Sequence, residues 1–294
     1  MRTYRFVTVD VFTDRRFGGN QLAVFPDARG MSDAEMQALA NEFNLSETTF
    51  VLPPDDPANT ARVRIFTRTR EMPFAGHPNV GTGFVLADRA KDGVLRFEEI
   101  AGLVEVRVAQ GADGAAIGAT IAAPQPLTLG ANFAAEEIAH CVGLAPAEVI
   151  TARHAPVLAS VGNPFVIAEV DGAALARATP DFAAFRTTLT AHPELDGRLS
   201  IYVYSPDGAG MVRARMFSPL GGTVEDPATG SAATPLAALL LHLSGAGQGA
   251  WDITQGVEMG RPSLLRTTAQ RGPDGILATV GGGCVPVLEG EARL

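Results

Sequence analysis

An internal repeat constrains the fold of this chain more than any other feature of its sequence. Five segments of the first half return in the same order in the second half, about 150 residues later. One such match arises easily by chance, but five in order indicate that one structural unit occurs twice. The matched pairs are Gly19-Asn20 with Gly162-Asn163, Asp33 with Asp181, Ser46 with Ser200, residues 62–67 with 213–218, and residues 76–78 with 226–231.

The repeated unit is predicted to be rich in β-strands. β-Branched and aromatic residues fill segments 4–12, 21–25, 46–52 and 62–67, and glycine or proline turns bound them. Strand and helix signals stop at residues 123–126, where two prolines occur. We therefore expect one half over residues 1–123 and the other over 127–294, with the final strand as a candidate to cross back to the first half.

Each unit is also predicted to contain helices. Ser32 and Glu35 form a capping box with Met31 and Met36 as a hydrophobic staple, and Asn44 suits the end of that helix. A second helix is predicted to open at Pro78 with His77 near its N-cap. That second helix is apolar on nearly all sides, which is typical of a helix enclosed by its own domain.

Composition excludes several classes of function. The net charge of −9 and the pI near 5.1 argue against a surface that attracts phosphates, so no nucleic-acid partner is expected. No signal peptide begins the sequence, and the most apolar run, residues 232–241, is too short to span a bilayer. These features predict a soluble cytoplasmic protein without a membrane partner.

Metal and thiol chemistry find little support in the sequence. Two cysteines make neither a disulfide framework nor a metal cluster, and four of the five histidines show no ligand spacing, so no metal site is expected. Cys141 is predicted to lie in a core helix and Cys284 in a strand. Ser231 lacks the second glycine of a nucleophile elbow.

Each half carries a tight loop that leads into an apolar helix. The start of such a helix offers unpaired N–H groups and the positive end of the helix dipole, which together bind anions such as a carboxylate. If the halves face each other, the two helix starts converge on one cleft. The alternative is that both loops are only structural turns.

Three side chains near these loops are candidates for proton transfer. Glu47 has Ile201 at the matching place of the second half, so this carboxylate breaks the internal symmetry, and burial can raise such a pKa until the group both takes and returns a proton. His77 is a second candidate proton carrier, and Asp226 accompanies it in the other loop. Their structural alternatives are a solvated glutamate, a helix-capping histidine and a helix-capping aspartate before Pro227.

Several motifs resemble the PhzF-like family of phenazine-biosynthesis isomerases. The resemblance covers essentially the whole chain and rests on residues 44–51, 74–78 and 225–231, with 17–20 and 255–263 in support. It implies an α+β fold of two pseudo-symmetric diaminopimelate-epimerase-like domains. Each domain is then a barrel-like sheet around a central helix, and the active site lies in the interdomain cleft.

The resemblance also implies a function. The characterised family member isomerises trans-2,3-dihydro-3-hydroxyanthranilate without a cofactor, and Glu47 would remove and redeliver the proton. His77 and Asp226 would bind substrate and assist proton transfer, Ser231 would contact the substrate, and the backbone N–H groups of Gly76 and Gly230 would hold its carboxylate. A homodimer is expected on the same grounds.

Two departures limit what the resemblance implies. Relatives of this fold that racemise amino acids use two facing thiols, whereas neither loop here holds a cysteine, so two-thiol chemistry is excluded. Arg68 and Thr69 stand where much of the family has a proline, which leaves the substrate open. The alternatives are a racemase, epimerase or lyase acting on a small amino or hydroxy acid, and a non-catalytic carboxylate-binding protein.

Overall fold

Strands dominate the chain, which the structure, a computed structural model, describes over all residues 1–294. The chain divides into two units. The first unit comprises residues 1–122 together with 281–294, and the second comprises residues 123–280. The last strand, β18 (Gly275–Arg293), therefore begins in the second unit and ends in the first.

The first unit has two helices and eight strands before it receives the last strand. They are β1 (Thr3–Val11), β2 (Asn20–Phe25), α1 (Asp33–Phe43), β3 (Glu47–Leu52), β4 (Ala61–Phe66), β5 (Glu71–Met72), α2 (Gly76–Val85), β6 (Val94–Glu99), β7 (Gly102–Gln110) and β8 (Ala116–Ala122). The strands predicted from the sequence are confirmed to within one residue at each end.

Eight strands of the first unit close into a barrel. The order of neighbours is β18, β1, β2, β3, β4, β6, β7 and β8, and β8 pairs again with β18. The pairs β2–β3 and β4–β6 are parallel, and the other pairs with a resolved register are antiparallel. Closure leaves the barrel without an unpaired edge.

Helix α2 lies inside this barrel, as its apolar sequence predicts, and glycine makes the fit possible. A Cβ atom on Gly81 would lie 2.6 Å from Leu22 Cδ2, and one on Gly83 would lie 2.4 Å from Val106 Cγ1. These distances are far below van der Waals contact. The helix can therefore touch both β2 and β7 only because these two positions carry no side chain.

Helix α1 covers the outside of the barrel, and its ends follow the sequence. Ser32 is its N-cap with the capping box formed to Glu35, and Asn44 ends it in the left-handed conformation at φ 53°. Met36 and Leu39 pack into a cluster of aromatic rings. The rings in contact are Phe6, Phe25, Phe43, Phe50 and Phe66.

The second unit has four helices and nine strands before β18. They are β9 (Thr128–Asn132), α3 (Ala135–Cys141), β10 (Val149–Ile150), β11 (Val157–Ser160), β12 (Pro164–Val170), α4 (Gly172–Leu175), α5 (Phe182–Ala191), β13 (Ile201–Pro206), β14 (Met211–Ser218), β15 (Thr223–Asp226), α6 (Gly230–Ser244), β16 (Gln248–Gln255) and β17 (Ser263–Gly272).

The strand pairing of the second unit repeats that of the first. β11–β12 is antiparallel like β1–β2, β12–β13 is parallel like β2–β3, and β14–β16 is parallel like β4–β6. Helix α6 occupies the position of α2, packs on β16 and β17, and continues through Pro235. The predicted duplication and the α+β fold are therefore confirmed.

The strand register shifts the predicted match between the two halves by one residue at Glu47. Thr48 pairs with Phe66 in the first unit, and Ile201 pairs with Phe217 in the second. Because the two phenylalanines are equivalent in the repeat, Ile201 matches Thr48, and Glu47 matches Ser200. The sequence alignment missed this because Ser46 and Ser200 look equivalent while strand register is set by pairing. Glu47 still breaks the symmetry, since its counterpart is a hydroxyl.

Candidate active site

Glu47 is the first residue of β3, and the strand directs it toward helix α2. Side chains alternate between the two faces of a strand, so Glu47 shares a face with Thr49. The Thr49 hydroxyl lies 2.9 Å from the hydroxyl of Thr82 in α2, which identifies this face as the inner one. The Glu47 side chain is 18% exposed, so it is enclosed but reaches solvent.

His77 lies beside Glu47. Its Nε2 atom is 3.6 Å from Glu47 Oε2, and its Nδ1 atom is 3.4 Å from Asn20 Nδ2. The backbone of Gln21 is a further partner of the ring. Nε2 itself has no hydrogen-bond partner, because Glu47 Oε2 at 3.6 Å lies beyond hydrogen-bond distance.

Burial decides the charge of this histidine. It lowers the pKa of His77 to about 3, and the backbone of Gln21 opposes the shift only weakly. His77 is therefore neutral at neutral pH, and its contact with Glu47 is not an ion pair. A neutral imidazole can donate a hydrogen bond to a carboxylate or a substrate without neutralising either.

The start of α2 differs from the prediction by two residues. Its N-cap is Ala75, so Gly76 is the first helical residue, His77 the second and Pro78 the third. Proline fits here because the first four N–H groups of a helix lack partners inside the helix, so its missing N–H costs nothing. His77 accordingly does not cap the helix, and the capping alternative for it is wrong.

The two central helices begin without a side-chain cap from their N-cap residues. No side chain caps α2 at Ala75 or α6 at Thr229, and Ala134 of α3 makes no such bond either, whereas Ser32, Asp171 and Asp181 cap α1, α4 and α5. The N-cap residues of α2 and α6 thus supply no side-chain acceptor to the first N–H groups of these helices. An anion at either helix start would supply one and would meet the positive end of the helix dipole.

Asp226 is the last residue of β15 and is 7% exposed. The N-cap of α6 is Thr229, three residues later, so the helix-capping alternative for Asp226 is wrong. The Thr229 hydroxyl donates a 2.5 Å hydrogen bond to Asp226 Oδ2. Gln255, at the end of β16, contacts both residues: its Nε2 donates to the Asp226 carbonyl at 2.8 Å and to Thr229 Oγ1 at 3.0 Å.

The structure groups the predicted site residues by unit. Glu47, Gly76 and His77 come together in the first unit, and Asp226, Gly230 and Ser231 come together in the second. Gly76 and Gly230 are the first residues of α2 and α6, and His77 and Ser231 are the second. The repeat therefore places different chemical groups at equivalent positions.

Sequence reasoning did not single out three residues of these two groups: Asn20, Thr229 and Gln255. Asn20 lies in the motif at residues 17–20, Thr229 in the motif at 225–231 and Gln255 in the motif at 255–263. Their membership of these motifs was the only indication of a role that the sequence offered. Their contacts depend on tertiary packing.

Both thiols are unsuited to proton abstraction. Burial raises the pKa of Cys141 to about 11, and burial likewise raises the pKa of Cys284 well above its usual range. Cys141 lies in helix α3 and Cys284 in strand β18, as predicted, and both are buried. Neither is a thiolate near neutral pH, which agrees with the exclusion of two-thiol chemistry.

No group of three or more His, Cys, Asp or Glu side chains is arranged to hold a metal ion. No helix has both the length and the apolar character needed to cross a membrane.

Two barrel-like units, each around an enclosed and uncapped helix, define an α+β fold of the epimerase-like class. A hydroxyproline epimerase from Agrobacterium vitis has this fold, with a TM-score of 0.64, 16% identity, and coverage of 100% of this chain and 93% of that one. A PhzF-family phenazine biosynthesis protein from Bacillus anthracis is more similar, with a TM-score of 0.88, 25% identity and full coverage of both chains.

Sequence comparison identifies the family. The family described as phenazine biosynthesis-like protein matches residues 9–290, and this chain belongs to it. An uncharacterized isomerase of Mesorhizobium japonicum is 40% identical, covering 99% of each chain. A trans-2,3-dihydro-3-hydroxyanthranilate isomerase of Pseudomonas aeruginosa is 37% identical, covering 99% of this chain and 100% of the relative. The protein is an isomerase.

Proposed function

We propose that this isomerase works without a cofactor and moves a proton within a small carboxylate-bearing substrate, with Glu47 as its acid and base. The observation that carries the proposal is the partly exposed Glu47 carboxylate 3.6 Å from the neutral imidazole of His77 at the uncapped start of α2. A carboxylate, a neutral imidazole and the start of a helix thus occur together.

The proposed reaction needs only proton transfer. Glu47 takes a proton from one carbon of the substrate, and the electron pair of the broken C–H bond delocalises into the conjugated framework. The carboxyl group then returns the proton to a second carbon. No electrons enter or leave, so the product is an isomer and the enzyme ends unchanged.

The other site residues support this chemistry. The N–H groups of Gly76 and Gly230 are the proposed donors to the substrate carboxylate, since both helices lack a side-chain cap. His77 would donate a hydrogen bond as a neutral ring, which favours a substrate oxygen that gains negative charge. We propose that Asp226 assists the proton transfer and that Ser231 contacts the substrate.

We propose trans-2,3-dihydro-3-hydroxyanthranilate as the substrate, on the name of the Pseudomonas aeruginosa relative and its 37% identity over nearly the whole chain. It bears a carboxylate, and its isomerisation is a proton shift within a conjugated ring.

The first experiment adds chelator-treated protein to this compound and follows the ultraviolet spectrum, with exchange of substrate C–H in D2O as a second readout. Glu47→Gln keeps the shape of the side chain and removes the base, so a loss on the order of 1,000-fold in both readouts is expected. Glu42→Gln, an exposed glutamate of α1, is the matched control.

Each outcome separates the parts of the proposal. Turnover that persists in Glu47→Gln would overturn the assignment of the base. Exchange in another small carboxylic acid, with none in this compound, would overturn only the substrate and favour a racemase, epimerase or lyase. Tight binding of an unaltered carboxylate without any exchange would favour a non-catalytic binding protein.

We also propose that the chain forms a homodimer, as its family resemblance implies. Sedimentation velocity at micromolar concentration tests this directly. A single species of 30.6 kDa would contradict it.

A further inference from the structure

Gln255 forms a complete set of hydrogen bonds inside the second unit. It is 1% exposed, and its amide makes four contacts. Nε2 donates to the Asp226 carbonyl at 2.8 Å and to Thr229 Oγ1 at 3.0 Å, while Oε1 accepts from the Thr229 N–H at 3.2 Å and the Tyr202 hydroxyl at 3.0 Å. Two donor positions and two acceptor positions are thus all used.

The partners permit one orientation of this amide. The Asp226 carbonyl can only accept and the Thr229 N–H can only donate, so Nε2 must face the first and Oε1 the second. The Tyr202 hydroxyl, fully buried and with a pKa raised by that burial, stays protonated and donates to Oε1. Rotating the amide by half a turn would break these bonds and leave buried polar groups unpaired.

Thr229 connects the fixed amide of Gln255 to the carboxylate of Asp226. Its hydroxyl accepts from Gln255 Nε2, so its single proton is left to donate to Asp226 Oδ2 at 2.5 Å. The backbone that follows Gln255 also packs closely against residues 226–229. Gly256 has φ +75°, and a Cβ atom there would lie 2.5 Å from the carbonyl oxygen of Pro227, so only glycine allows this approach.

The first unit lacks the network at the equivalent place. Arg62 pairs with Glu98 and Arg213 with Thr254, so the repeat matches Glu99 to Gln255. Neither carboxyl oxygen of Glu99 has a hydrogen-bond partner. Because the shared fold forms without these four bonds in one unit, the network is a property of the half that carries Asp226.

We propose that Gln255 is a positioning residue of the isomerase reaction: its amide fixes residues 226–229 and, through Thr229, aims the carboxylate of Asp226. The inference rests on the proposed function, since it gives Asp226 a reaction to serve. Displacing a catalytic group by about 1 Å costs on the order of 100-fold in rate, so loss of a network that holds Thr229 against the Asp226 carboxylate should have a measurable effect on turnover.

The activity test compares variants of Thr229 and Gln255. Thr229→Val removes the hydroxyl at nearly constant volume, and kcat is expected to fall about 10- to 100-fold with little change in KM. Thr229→Ser keeps the donor and should restore most of kcat. Gln255→Met should lower kcat at least as much, and the double variant with Thr229→Val should lose little more, because the two act as one unit.

The matched control is Thr267→Val. Thr267 is also a buried threonine of the second unit, and its hydroxyl donates to the Trp251 carbonyl at 2.8 Å. Loss of that bond should leave kcat unchanged. An equal loss of kcat in Thr267→Val and Thr229→Val, or no rescue by Thr229→Ser, would overturn the proposal.

A second measurement does not depend on turnover. Amide hydrogen exchange is compared between wild type and Gln255→Met in the peptide that contains residues 226–233. Faster exchange confined to that peptide is expected, because the Thr229 N–H loses its acceptor. Unchanged exchange in a folded variant would overturn the positioning role, whereas localised loosening together with a wild type that isomerises nothing would overturn only the proposed function.

Discussion

Nε2 of His77 lies 3.6 Å from Oε2 of Glu47, and the ring is almost completely buried. In water a histidine this close to a carboxylate would gain stability as a cation. Here burial outweighs that attraction and lowers the pKa of His77 to about 3. The pair is therefore a neutral imidazole beside a carboxylate, which suits a reaction in which one carboxyl group must take and return the proton.

The low pKa of His77 predicts a loss of stability in acid. The unfolded histidine has a pKa near 6.5, so between pH 6.5 and 3 the unfolded chain binds a proton that the folded chain does not. The free energy of unfolding should fall as the pH drops through this window, by up to about 1.4 kcal/mol per pH unit. Urea titrations from pH 7 to 4 measure this slope.

The His77→Gln variant should lose the part of this acid-side fall in the free energy of unfolding that His77 causes. His140→Gln, at an exposed position of α3, should keep it. For the same reason no ionisation of His77 should shape the activity profile between pH 5 and 9. An acid-side slope that is equal in wild type and His77→Gln would contradict the assignment of a neutral ring.

Glu99 predicts a pH dependence of the free energy of unfolding opposite in sign to that of His77. Burial raises the pKa of Glu99 to about 8, while the unfolded value is 4.5. Between these values the folded chain holds a proton that the unfolded chain has lost. The free energy of unfolding should therefore fall as the pH rises from 4.5 to 8, by up to about 1.4 kcal/mol per pH unit, and level off above.

Glu99→Gln tests this, because an amide has the shape of the neutral carboxyl group and cannot ionise. The free energy of unfolding of Glu99→Gln should not change between pH 4.5 and 8, where that of the wild type declines. The variant should therefore be the more stable protein at pH 9. The neighbouring Glu98→Gln is the control. Hydrogen bonds from Asn59 and from the backbone of Asp55 and Asp56 lower the pKa of Glu98, so this change should leave the decline in place.

A duplicated ion pair predicts unequal losses of stability. Arg215 binds Glu225 through two bonds of 2.8 and 2.9 Å, and Arg64 binds Glu71 through two of 2.6 Å. The Arg215 side chain is 7% exposed and that of Arg64 is 18% exposed. Removing one partner of a buried pair costs about 3 to 5 kcal/mol because the other charge stays buried and unpaired.

Glu225→Gln should therefore lower the free energy of unfolding by about 3 kcal/mol or more, and Glu71→Gln by clearly less. Arg64 is nearer solvent and keeps a second carboxylate, Asp33, at 2.5 Å, whereas the second carboxylate of Arg215, Glu258, lies farther away at 3.9 Å. Thermal or urea unfolding of the two variants gives the comparison. Equal losses would show that burial does not set the strength of these pairs.

The fit of α2 inside its barrel predicts the effect of a single methyl group. Gly83→Ala would place Cβ 2.4 Å from Val106 Cγ1, and such overpacking costs about 1 to 3 kcal/mol. The cost should shrink when Val106→Ala is present, because the clashing methyl group is then gone. Gly247→Ala, where a Cβ meets nothing within 4 Å, should be nearly neutral. A full cost in the Val106→Ala background would contradict the assigned contact.

Local signals explain how much of the fold was predictable. The capping box at Ser32 and the left-handed end at Asn44 depend on residues within a few positions of each other, and both formed as predicted. The start of α2 was displaced by two residues, because proline is tolerated anywhere in a first turn and so does not mark its beginning. The one-residue slip at Glu47 arose because register depends on the partner strand.

The sequence alone determined the duplicated α+β architecture, the family and the candidate residues Glu47, His77 and Asp226. It could do so because periodicity, turns and motifs depend on residues that are close together in the chain. Tertiary structure alone decided that Glu47 meets His77 across 30 residues, that burial makes this histidine neutral, and that Gln255 reaches Asp226 from 29 residues away. Distance and desolvation depend on what packs around a side chain, and packing is not a local property of sequence.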